Sequence, residues 1–147
     1  MPFKVIVVGT DGSKRASTAV DEAFALANAY GSTVHVVNAV DPGVAAGFAD
    51  SRSAQFSVNE RRNYVDRTRE RVVSDAERKG IPVEFHTPGK NDPADGIVEV
   101  ATNVNADLIV VGNRGMSGMK RFVLGSVPNK ISHGCPCSLL IVNTESD

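Results

Sequence analysis

Cysteine, net charge and long apolar runs are what this chain has least of, and each shortage removes a class of function. The two cysteines, Cys135 and Cys137, are separated by one residue, a spacing poor for a disulfide and useless as an extracellular framework. The formal net charge is −1, so no overall field draws the chain to nucleic acid or to an anionic membrane. Polyanion binding needs a local patch. No apolar run approaches the roughly 18 residues that span a bilayer, and the opening "MPFKVIVVG" lacks the length and cleavage site of a signal peptide. A cytoplasmic protein with neither nucleic-acid nor membrane partner is expected. No Walker motif and no G-x-S-x-G elbow occurs, which leaves P-loop hydrolysis and an acyl-transfer role for Ser126 without support.

What is present is ordinary globular composition. Hydrophobic residues make up 41% and charged residues 22% of 147, and one domain of that length, 1–147, buries about two-thirds of its unfolded surface. Short apolar runs alternate with longer amphipathic stretches. "KVIVVG" (4–9), "TVHVVNAV" (33–40), "PVEFHTP" (82–88), "ADLIVVG" (106–112) and "SLLIVN" (138–143) read as strands covered on both faces. Between the first two, Ala16, Val20, Ala23, Phe24 and Ala27 recur at helical steps, so 14–30 is predicted as a helix stopped by Gly31. Residues 41–57 form a connection with little periodic signal, and 58–79 is predicted as a helix. Its stretch 60–79 mixes seven cations with five acids, including Arg62/Asp66 and Asp75/Lys79 at four-residue spacing, which reads as a solvated face and not a nucleic-acid groove. Asp92 and Pro93 supply an N-cap and a first-turn proline for a helix that turns Ile97, Val98, Ala101 and Val104 inward. Ser126 opens a short helix to about His133.

Five such strands separated by helices make a doubly wound α/β sheet, parallel throughout, with helices on both faces. Ligands in such sheets sit outside the carboxyl ends of the strands. Two loops there carry polar chemistry: "GTDGS" (9–13) and the segment 112–126. In the second, Gly112 and Gly115 are separated by two residues, and Gly125 follows after nine more, with Ser126 directly behind it. Glycines let backbone N–H groups converge on an anion, and a helix start adds free N–H groups and a favourable dipole. Arg114, Lys120 and Arg121, with no acid between 112 and 125, add a local excess of positive charge. Asp11 either supports a nucleoside or metal, or serves as an N-cap or turn residue before the helix at 14. His35 and His86 fall inside strand patterns and read as packed or edge residues. "HGCPC" (133–137) lacks the ligand number and spacing of a structural zinc site or a redox dithiol.

"VGTDGS", together with "VVGNRG" followed nine residues later by "GSV", resembles the nucleotide-binding branch of the universal stress protein family, whose signature is G-x2-G-x9-G-[S/T]. That resemblance implies a five-stranded sheet of order 3-2-1-4-5 with an ATP site between strands one and four. It places Gly9, Thr10 and Asp11 beside the nucleoside, and backbone groups near Ala39 and Val40 at the adenine. Gly112 and Gly115 then take the ribose and inner phosphates. Gly125, Ser126 and Val127 take the outer phosphates, with a divalent cation, Mg or Mn, bridging them. No residue stands out to position an attacking water, so a regulator with at most slow ATP hydrolysis is expected. "SLLIV" has no lysine or proline to blunt an edge, so a twofold homodimer through 138–143 is expected, as is common in the family. Rival readings are an adenylyltransferase or ATP pyrophosphatase, whose H-x-G-H or S-G-G-x-D-S motifs are missing, and a dimeric scaffold without ligand. AMP or a cyclic nucleotide remains open as the ligand.

Overall fold

A computed structural model describes residues 3–38, 58–90, 92–113 and 124–144. Five strands form one sheet: β1 (Val5–Thr10), β2 (Thr33–Asn38), β3 (Val83–His86), β4 (Leu108–Gly112) and β5 (Ser138–Val142). Every pairing is parallel, and the order is β3-β2-β1-β4-β5, as the family resemblance implies. Four helices lie among them in the described residues: α1 (Lys14–Tyr30), α2 (Val58–Lys79), α3 (Pro93–Asn103) and α4 (Ser126–Ser132). The connection 41–57 lies outside the described residues.

The near-continuous apolar strands follow from burial on both faces. Ile6, Val7 and Val8 of β1 are fully buried. Ile6 and Val8 join Val34, Val36, Leu108 and Val110 under α1 and α2, while Val7, Val37, Ile109 and Val111 face α3 and α4. Alternate residues of one strand thus feed two cores, the side-chain period of two making the division.

The helix signals act where they stand in the sequence. Ser13 caps α1 by accepting from the Ala16 N–H at 3.1 Å, and Gly31 closes it in the left-handed region, its N–H donating to the Ala27 carbonyl. The buried stripe of α1 is Ala19, Val20, Ala23, Phe24 and Ala27; Ala16, expected on it, is only half-buried. Asp92 caps α3 through the Ala94 N–H at 2.9 Å, with Pro93 in the first turn. The α3 face buries Ile97 and Ala101 as expected, while Val98 and Val104 are half-buried at its border. Ser126 does begin α4, but the residue in the cap position is Gly125, and no side chain caps this helix.

Candidate functional site at the parting of β1 and β4

The ladder between β1 and β4 ends early. Its pairs run from Ile6–Leu108 to Val8–Val110. On the outer sides, β1 stays paired with β2 as far as Thr10–Asn38, and β4 with β5 as far as Gly112–Val142. The tips Gly9–Thr10 and Val111–Gly112 are therefore held by their outer neighbours and not by each other. This is the position where the strand order reverses, the crevice in which doubly wound sheets take ligands.

On the β1 side the chain turns sharply from strand to helix. The buried Thr10 hydroxyl accepts from the Gly12 N–H at 3.1 Å, and the Asp11 carboxylate accepts from the Ser13 N–H at 2.8 Å. Asp11 is thus a turn residue through one oxygen, and Ser13 is the cap. Gly12 has φ +83°, and a Cβ there would stand 2.6 Å from the Tyr64 hydroxyl oxygen and 2.8 Å from Thr68 Oγ1. The turn is held from above by α2. The Tyr64 hydroxyl donates to the Asp11 carbonyl at 2.8 Å, and the Arg71 guanidinium to the Gly12 carbonyl at 3.0 Å. Burial, followed by the nearby Asp11 carboxylate, raises the Tyr64 phenol above its ordinary range, so it keeps the proton it donates. Gly9 has a packing role as well: a Cβ there would meet Ile97 Cδ1 at 2.5 Å.

On the β4 side, Asn113 is the junction. Its N–H donates to the Val142 carbonyl at 2.8 Å, and its carbonyl accepts from the Gly125 N–H at 2.8 Å. Its side-chain oxygen accepts from the Thr144 N–H at 2.9 Å and the Thr144 hydroxyl at 3.0 Å. One residue therefore ties the ends of β4 and β5 to the start of α4. Gly112 and the Gly125–Ser126–Val127 segment are drawn together across a twelve-residue separation, with Gly125 buried, Val127 half-buried and the Ser126 side chain exposed. Gly115, Arg114, Lys120 and Arg121 lie outside the described residues, as do Ala39 and Val40.

Four residues of this region escaped the sequence reading. Asn38, at the tip of β2 beside Thr10, is 8% exposed, and its Oδ1 has no hydrogen-bond partner among the described residues. A buried acceptor without a donor is costly in a folded chain and is at home in a binding site. Asn113 stands at one of the two unspecified positions between Gly112 and Gly115. Tyr64 and Arg71 were absorbed into the solvated face of 58–79, although their spacing, with Thr68 between, puts all three on one side of a helix. Outside the crevice, burial and the adjacent Cys135 push the Cys137 thiol up to about 11, which keeps it protonated and a poor nucleophile or ligand.

The model of the universal stress protein family matches residues 2–143. A universal stress protein relative from Staphylococcus saprophyticus is 31% identical over 150 residues, covering 99% of this chain and 86% of its own length. A solved universal stress protein in complex with cAMP is similar at 28% identity and a TM-score of 0.67, covering 99% of this chain and all of its own. The universal stress protein from Archaeoglobus fulgidus shares the fold at 24% identity and a TM-score of 0.70, over 96% of this chain and 99% of its own.

Proposed function

The chain belongs to the universal stress protein family, and from that premise we propose that it is a cytoplasmic, nucleotide-dependent regulator that binds ATP. The parting of β1 from β4 beyond Val8–Val110 carries this reading. It leaves two glycine-bearing strand tips facing a common crevice, with the Asn38 acceptor, unpartnered among the described residues, beside them. The residues present suit an adenine nucleotide. Gly9, Thr10 and Asp11 would lie along the nucleoside, with backbone groups of Ala39 and Val40 toward the adenine. Gly112 and Gly115 would approach the ribose and inner phosphates, and Gly125, Ser126 and Val127 the outer phosphates. Main-chain N–H groups free of Cβ atoms are what such a polyanion needs. Mg or Mn, bound with the phosphates, would neutralise their charge.

In this role the protein switches shape or partners with the bound nucleotide, which is hydrolysed slowly if at all. Isothermal titration of the full chain with ATP and Mg tests binding. Saturable uptake that disappears in a folded Gly125→Val variant is expected; equal affinity in that variant overturns the site. Several turnovers per second on labelled ATP would end the regulatory reading.

A second ligand has its own support. The 28% identical relative solved with cAMP favours a cyclic nucleotide in the same crevice, since backbone N–H groups recognise a phosphate without counting how many follow it. Parallel titrations with cAMP and AMP rank the three. The partner in this proposal is a second copy of the chain. β5 is one of the sheet's two border strands, and Leu139 to Val142 on it are only half-buried. An antiparallel pairing of two β5 edges would cover them, and a monomer in sedimentation at micromolar concentration refutes it.

A further inference from the structure

His35, Glu84 and His86 meet on the α3 side of the sheet, away from the crevice between β1 and β4. The register explains how. His35 on β2 is the direct partner of Glu84 on β3, and Val37 the partner of His86, so the three side chains project from the same face of two neighbouring strands. His35 Nδ1 lies 2.9 Å from His86 Nε2 and 3.5 Å from Glu84 Oε2, and the two rings stand 5.1 Å apart at a tilt of 36°. One donor atom from each residue falls within 4.8 Å of the other two. We propose that these three residues form a binding site for a divalent transition-metal ion of the zinc type.

A packed pair of histidines accounts for two of these atoms and leaves the carboxylate facing them. Each neutral imidazole carries one N–H. Two protons cannot both occupy a gap of 2.9 Å, so at most one lies between the facing nitrogens. If His35 donates it, His86 Nε2 and the Glu84 carboxylate compete for a single proton. If His86 donates it, a bare nitrogen of His35 faces the carboxylate. Either way lone pairs outnumber protons among the three side chains, and a cation would satisfy all three together.

The spacing suits that replacement. Nitrogen and oxygen donors on zinc at about 2.0–2.1 Å stand about 3.3 Å from one another in a tetrahedron, a value bracketed by the two separations from His35. Imidazole and carboxylate are the donors such ions prefer. His35 is nearly enclosed, whereas the Glu84 side chain is 65% exposed. An ion can therefore enter past the carboxylate and keep solvent as a fourth ligand. Bound there, it would fasten the border strand β3 to β2.

The test uses the full chain, stripped with chelator and free of nucleotide, titrated with zinc chloride and, separately, with cobalt chloride under reducing conditions. Expected are one equivalent of zinc bound at micromolar affinity or better, a higher melting temperature with zinc present, and cobalt absorption in the visible without a thiolate charge-transfer band. His86→Ala should weaken zinc binding at least about tenfold, because removing even an outer partner of a ligand costs about 10–100-fold. The surface position of Glu84 makes Glu84→Gln a second, structurally mild variant, expected to weaken binding several-fold. Absence of saturable uptake overturns the proposal, as does unchanged affinity in Glu84→Gln and in a folded His86→Ala. A thiolate band does so too, since it would assign the metal to Cys135 and Cys137.

Discussion

The two loops that flank the crevice are built on opposite plans. The turn after β1 takes three residues, Asp11 to Ser13, and is held by side chains: Thr10 and Asp11 from within, Tyr64 and Arg71 from a helix more than fifty positions away in sequence. The connection after β4 is joined across its neck, where Asn113 receives the Gly125 N–H and binds Thr144. The first plan sets the backbone of a short segment in one conformation before any ligand arrives. The second fixes where a long segment begins and ends. Binding affinity benefits from order that exists beforehand, so in the proposed site the β1 turn would be the platform, and the neck at Asn113 would keep the other half in register with it.

Substitutions can break or sharpen this contrast. The largest effect is expected at Gly12, where a positive φ coincides with a Cβ position 2.6 Å from the Tyr64 oxygen; Gly12→Ala should cost about 3 kcal/mol in urea unfolding. Gly31 supplies the control. It too has a positive φ, but nothing lies within 4 Å of its Cβ position, so Gly31→Ala should cost about 1 kcal/mol, the backbone share alone. Equal losses at the two glycines would mean that α2 does not clamp the β1 turn.

Next comes Asn113→Ala, which deprives the buried Thr144 of the acceptor for both its N–H and its hydroxyl; about 2 kcal/mol is expected. If the neck sets the register, nucleotide affinity falls along with stability. Tyr64→Phe removes a single hydrogen bond to the Asp11 carbonyl and should cost about 1 kcal/mol, with a smaller loss of nucleotide affinity than Asn113→Ala causes. A reversed ranking in calorimetry would make the clamp, and not the neck, the dominant element.

The smallest effect belongs to Asp92, which caps α3 and pairs with Lys130 on α4, the helix that the second loop enters. The Lys130 hydrogen bond, first among the causes, lowers the Asp92 pKa against a weaker opposing effect of burial. Its stabilisation is therefore present above the ordinary carboxylate range and is lost as the pH falls through the lowered folded value. Melting curves between pH 6 and pH 2 should show a slightly steeper acid loss for the native chain than for Asp92→Asn. Identical acid slopes would remove this tie from the second plan.

Much of the fold was legible because its signals are local. Ser13 and Gly31 bound α1 at the predicted Lys14 and Tyr30, and Asp92–Pro93 open α3 where expected. The ends of strands were less legible, since an apolar residue continues the pattern whether or not a neighbour pairs with it. β3 was expected over 82–88 and spans Val83–His86. Ser126 opens α4 where expected, and the cap position before it falls to Gly125, which has no side chain to cap with. Of the crevice, Gly9 and Gly112 were readable as the ends of predicted strands. Asn38, Asn113, Tyr64 and Arg71 were not, because each acts on a partner that a linear pattern does not bring near.

Apolar period, caps and glycine spacing are properties of residues a few positions apart, and those by themselves determined the alternation of strands and helices, the parallel sheet and the end of it where a ligand would bind. Only the tertiary structure decided that β1 and β4 part after Val8–Val110, that Tyr64 reaches Asp11 from 53 positions away, and that His35 faces His86 from 51. The physical reason is that pairing register and side-chain contact depend on distances in space, and a chain that folds back through right-handed crossovers sets those distances only when the whole sheet has formed.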